Sequence, residues 1–71
     1  MEIKAALVPV KSSAIHSAGY SPGILYVRFN NGKAHRFLKV PEPVYRAMIA
    51  APSIGRFFGA NVRGKFKDER V

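Results

Sequence analysis

Residues 24–40 read ILYVRFNNGKAHRFLKV, and the way their two halves pair decides the fold. The first half is β-branched and aromatic, which suits a pleated, half-buried surface. Asn30, Asn31 and Gly32 tolerate the left-handed backbone that tight hairpins demand, so the second half returns antiparallel to the first. Register is then the open question, because a slip of one residue moves every side chain to the other face of the sheet.

A two-residue turn at Asn31-Gly32 sets Tyr26 opposite Phe37 and Arg28 opposite His35. It gathers Ile24, Tyr26, Arg28, His35, Phe37 and Lys39 into an aromatic and basic platform of the kind that stacks bases. It also puts Arg36 among Leu25, Val27 and Leu38, where an unpaired guanidinium is costly to bury. A three-residue loop, with Gly32 left-handed in a bulge, sets Phe29 opposite Lys33 and Tyr26 opposite Arg36. Leu25, Val27, Phe29, His35 and Phe37 then share the core face, and Tyr26, Arg28 and Arg36 point the other way. A Tyr26–Arg36 cation–π pair would add ~0.5–1 kcal/mol at an exposed site. The bulged register avoids the buried charge and is the one expected.

Outward from this hairpin, GYSPG at 19–23 reads as a reverse turn, Pro22 fixing one φ and Gly23 supplying a positive one. The preceding SSAIHSAGY alternates weakly and offers a further strand. VPEPVYRAMIAAP changes period: Pro43 suits a helix start, Val44, Met48 and Ala51 share a helical face with Ile49 beside them, and Pro52 stops the segment. Ser53 can cap a second helical piece, IGRFF, with Gly59 as its left-handed stop. Val62 and Phe66 return to the core, and the polar tail KDERV is expected to fray. The prediction is one α+β domain over residues 1–71, core about 10–66. A small antiparallel meander of two to three strands is followed by two short helices packed on one face.

At 71 residues and 48% apolar, the chain has enough core for one small domain and few apolar residues to spare for a deep catalytic pocket. With no cysteine, disulfides and thiolate zinc sites are excluded. The apolar run AALVPV falls far short of the ~20 residues a membrane span needs, so the expectation is a cytoplasmic protein with no membrane partner. The charge is more telling. Twelve Lys and Arg stand against four Asp and Glu, a net +8, and between Ile3 and Pro41 no carboxylate offsets Lys4, Lys11, Arg28, Lys33, Arg36 and Lys39. An excess of this size favours a polyanion partner, and its self-repulsion favours a monomer.

Catalysis would need a nucleophile, a base and an oxyanion site together. The materials are Ser12, Ser13, Ser53, His16 and His35, and APSIG lacks both the first glycine and the strand-turn-helix setting of a nucleophile elbow. Two histidines far apart, without a nearby acid or thiol, make no metal ligand set, and no cofactor motif is present. Ser53 is most simply a helix cap, although a helix start beside Arg56 can also hold a phosphate.

SSAIHSAGY, LYVRFNNGKAHRF and VPEPVYRAMIAAPSIGRFFGANVRGKF, taken in order, resemble the KTSC domain. This short module occurs at the C-terminus of some lysyl-tRNA synthetases and as stand-alone bacterial and phage proteins. The resemblance runs over about residues 10–66 and rests on the spacing of Ser12-Ser13, Gly19-Tyr20, Gly32, Val40-Pro41, Tyr45, Ser53, Gly55 and Phe57-Phe58. The family's central Tyr-x-Tyr falls on His35 and Phe37, which lack the phenol oxygens. Its Asp after Gly-Tyr is Ser21 here, and its Asn after the second helical aromatic is Gly59. Association with synthetases implies RNA as the partner class.

The expected function is therefore a non-catalytic module that binds nucleic acid, RNA foremost. Arg28, Arg36, Arg56, Arg63 and Lys65 would contact phosphates as one strip, with Tyr26 as a stacking surface. The alternative is a module whose basic face docks on an acidic surface of a nucleic-acid-processing enzyme.

Overall fold

A computed structural model describes residues 6–71 of the chain; Glu2 and Lys4, counted in the charge asymmetry, lie outside the described residues. Seven elements follow in order: β1 (Val8–Pro9), β2 (Ile15–Ser21), β3 (Gly23–Phe29), β4 (Ala34–Val40), α1 (Glu42–Ala50), α2 (Ile54–Asn61) and β5 (Asp68–Arg70). The strands form one antiparallel sheet in the order β1-β2-β3-β4-β5. The α+β class is as expected, but the sheet has five strands rather than two or three. The additions are the short edges, whose two or three residues are too few to carry an alternating pattern.

The central hairpin adopts the bulged register. Tyr26 pairs with Arg36 and Arg28 with Ala34, the Phe29 N–H donates to the Lys33 carbonyl at 2.8 Å, and Gly32 has φ +88°. Between β2 and β3, Ser21 pairs with Ile24 across Pro22-Gly23, and Gly23 has φ +82° as that turn requires.

This register turns Leu25, Val27 and Phe37 toward the helices, where they meet Met48, Ile54, Phe58 and Val62 in one buried cluster with Ile15, Ala18 and Val40. Tyr20 closes one end of it. Its ring stacks on Tyr45 with centroids 5.4 Å apart, and its hydroxyl donates to the Val40 carbonyl at 2.6 Å while accepting from the Gly23 N–H at 3.1 Å. In α1, Pro43 sits in the first turn and Met48 is fully buried. Ile49, expected near the core face, is 42% exposed instead.

Two further expectations are corrected. The tail is not frayed: Asp68, Glu69 and Arg70 pair with Phe37, Arg36 and His35, and the Val71 N–H donates to the Ala34 carbonyl at 3.0 Å. Gly59 does not end α2, which runs on to Asn61. The left-handed glycine after that helix is Gly64, φ +76°, because Val62 must first complete its burial against the sheet.

Candidate nucleic-acid interface

The six residues proposed from sequence do not form one strip. The strand parity that sends Leu25 and Val27 to the helices sends Tyr26, Arg28 and Arg36 to the opposite face of the sheet. Arg56 lies on α2, while Arg63 and Lys65 follow it in the turns leading to β5. Two groups of cations therefore sit on opposite sides of a molecule whose extents are 29 × 24 × 20 Å.

Tyr26 is not a stacking surface, being 1% exposed. Its ladder partner Gly19 shows why, because the chain before β1 curls over this face so closely that a Cβ at Gly19 would lie 2.4 Å from the Ala6 carbonyl oxygen. Arg36 is not a free cation either. Its Nε donates to Glu69 Oε1 at 2.7 Å across the β4–β5 ladder, so the guanidinium ties down the C-terminal strand. Arg28 alone of this group is exposed without a described carboxylate beside it.

On the helix side a different set assembles. The loop before β2 is folded by Ser12, whose Oγ accepts from the Ala14 and Ile15 N–H groups, both at 3.2 Å. Asn30 of the hairpin loop holds it from the other side, donating through its side chain to the Ser13 carbonyl at 2.8 Å. This loop packs against the start of α2, where a Cβ at Gly55 would be 3.4 Å from Ser12 Oγ, and where Ser53 Oγ accepts from the Arg56 N–H. Ser12 is thus structural, and so is Ser53, as its sequence setting implied. Lys11 and Arg56 flank the resulting groove of about 440 Å³.

Ala14 borders both this groove and a second hollow of about 350 Å³, which is lined by Phe29, Asn31, Lys33, His35 and Arg63. Lys11 and Arg56 therefore edge one hollow, at the start of α2, and Arg63 and Lys33 edge the other, at the hairpin, with Ala14 between the two. Among the described residues the side-chain carboxylates pair with other groups: Glu42 with Arg46, Asp68 with His35, Glu69 with Arg36. None forms a salt bridge with these four cations, although Asp68 shares a small hollow with Arg63. Lys65 is exposed but borders neither hollow.

Of the six proposed residues the structure puts Arg56 and Arg63 on this side of the molecule, each at one of the two hollows, and it adds Lys11 beside the first and Lys33 beside the second. Lys33 was within reach of sequence reasoning, since the bulged register already placed it opposite Phe29 on the His35 side. Lys11 was not, because its position depends on a loop fixed by contacts between distant segments.

Comparison with known proteins agrees with this architecture. The family model described as KTSC domain matches residues 11–66. A protein of Tsukamurella paurometabola is 43% identical over 61 residues, covering 83% of this chain and 91% of that protein. A lysine–tRNA ligase of Nostoc punctiforme is 36% identical over 47 residues, 66% of this chain but 8% of the ligase. The crystal structure of a KTSC domain protein from Yersinia pestis superimposes with a TM-score of 0.89 at 35% identity, over 93% of this chain and 96% of that one.

Proposed function

Since the chain belongs to the KTSC domain family, and since four cations without a salt bridge to a described carboxylate border two adjoining hollows of its surface, we propose that it is a non-catalytic module that binds nucleic acid, RNA foremost. The observation that carries this reading is the set Lys11, Arg56, Arg63 and Lys33 at two adjoining hollows, none of them in a salt bridge with a described carboxylate, on a chain of net charge +8. Cations in a groove concentrate field and attract a phosphate backbone over distance. The choice of RNA is supported by the resemblance to part of a lysine–tRNA ligase, a protein whose name gives tRNA as its substrate.

Four phosphate contacts predict that the logarithm of single-strand affinity falls with the logarithm of salt at a slope of about −3. Fluorescence titration of a mixed-sequence RNA at several salt concentrations measures it. Absence of binding at low salt refutes the reading.

A second reading, docking on a partner protein, is favoured by one observation. An open groove of about 520 Å³ lies between β1 and α1, bordered by Val10, Tyr45, Pro52 and Ile54 and by the exposed Val8 and Ile49. A partner that survives nuclease treatment and is lost on Ile49→Asp would support it over RNA binding.

A further inference from the structure

The hollow at the hairpin tip combines its cations with aromatic rings, a pairing that phosphate contact alone does not require. Resting on the reading of RNA binding, we propose that this hollow takes one unpaired nucleotide of single-stranded RNA. The base packs against Phe29 and His35, and the phosphate lies between Arg63 and Lys33.

The rings are fixed before any ligand arrives. Phe29 stands edge-on to Phe58 at 5.6 Å and to His35 at 5.7 Å, so its position is set by the core below. His35 is held on two sides, by Asp68 Oδ2 at 3.0 Å from Nδ1 and by the Phe37 ring, nearly parallel at 6.4 Å. It nevertheless keeps 27% of its side chain exposed. A ring that is clamped yet partly open loses little freedom when a base covers it, which is the condition under which stacking contributes most to affinity.

The polar groups complete a nucleotide's complement. Arg63 borders both this hollow and an adjoining one of about 160 Å³, which reaches Phe37, Phe58 and Asp68, so His35 and Phe29 form the wall the two share. A flat ring against that wall has Arg63 beside it, and Asp68 lies in the adjoining hollow. Lys33 adds a second cation at the outer rim. A base inside a duplex cannot reach such a wall, because its faces are covered by its neighbours in the stack.

The test compares a fluorescent ten-nucleotide single strand of mixed sequence, the same strand annealed to its complement, and a mononucleotide, each titrated against the full chain. The single strand should bind about tenfold more tightly than the duplex, within the range attributable to one stacked base. His35→Ala should remove that advantage and His35→Phe should keep it. Asp68→Ala, which releases the His35 clamp and one β5 contact but leaves the ring, should reduce it in part, less than His35→Ala does. This separates loss of the platform from loosening of the strand.

Equal affinity for single strand and duplex, or full single-strand affinity in His35→Ala, overturns the nucleotide site while leaving phosphate-driven binding intact. A mononucleotide that binds as tightly as the strand overturns RNA as the source. Failure of every probe at low salt refutes the underlying reading itself, and the site with it.

Discussion

The guanidinium of Arg36 on β4 faces the carboxylate of Glu69 on β5 directly across the ladder, with Nε 2.7 Å from Oε1. The side chains are 39% and 40% exposed, so solvent screens much of the attraction and the pair is worth at most about 1 kcal/mol. Its value is directional, since it seats β5 against the edge of β4. Glu69→Gln should therefore lower stability in urea unfolding by less than about 1 kcal/mol. Arg36→Ala should leave both RNA affinity and its salt slope unchanged. A salt slope that becomes shallower in Arg36→Ala would return this arginine to the interface.

Tyr20 performs a different joining role. Its hydroxyl serves the Val40 carbonyl and the Gly23 N–H at once, linking the end of β4 to the turn between β2 and β3. Tyr20→Phe keeps the ring on Tyr45 and removes only the oxygen, so both backbone groups lose a partner in a half-buried place. A loss of about 1–2 kcal/mol follows from the usual worth of such hydrogen bonds, measurable by chemical denaturation. A loss too small to detect would mean that water replaces the phenol without cost.

Two glycines should respond oppositely to the same added methyl group. At Gly19 a Cβ would press 2.4 Å from the Ala6 carbonyl oxygen and 3.2 Å from Leu7 Cδ2. Because backbone must move, Gly19→Ala should cost about 1–3 kcal/mol or more. At Gly59, inside α2, a Cβ meets nothing within 4 Å, and Gly59→Ala should gain about 0.5–1 kcal/mol from helix propensity. Thermal melts of the two variants give the signs, and a destabilised Gly59→Ala would show that the exposed end of α2 has a packing constraint not seen in its neighbours.

The contrast between these glycines marks how far sequence could lead. Gly23 and Gly32 were legible because turn chemistry is local: two strand patterns and a short polar link force a positive φ between them. The hairpin register followed from the penalty of burying Arg36, and the face of His35 and Phe37 followed from the register. Gly19 was not legible, because what crowds it is a segment brought back over the sheet. For the same reason Tyr26 read as an exposed ring: parity correctly put it opposite the core face, but parity does not say whether that face is covered. β5 stayed hidden behind its charges, since Asp68 and Glu69 suit a tail until His35 and Arg36 are known to stand beside them.

Lys39 carries backbone strain that can be relieved. The β3–β4 ladder slips between Gly23–Val40 and Ile24–Leu38, leaving Lys39 bulged and exposed with φ +58°. A side chain in this region costs roughly 1 kcal/mol that glycine avoids. Lys39→Gly should stabilise by about 0.5–1 kcal/mol, the residual being taken up by glycine's freedom in the unfolded chain. Lys39→Val, β-branched and least tolerant of a positive φ, should destabilise. If urea midpoints for the two variants coincide, the bulge is not held at that φ in solution.

The last prediction separates a local interface from a general effect of charge. Arg28→Glu and Arg56→Glu each change the net charge from +8 by two, to +6, yet they lie on opposite sides of the sheet. At physiological salt the screening length is about 8 Å, well under the smallest molecular extent of 20 Å, so a charge on the far face contributes little at the groove. Arg56→Glu should therefore weaken RNA binding severalfold and make the salt slope shallower by roughly 0.7, one phosphate's share for a single strand. Arg28→Glu should leave the slope alone. Equal losses in both variants would mean that RNA senses only the overall charge, and the row of cations along α2 and the hairpin tip would then have no special standing.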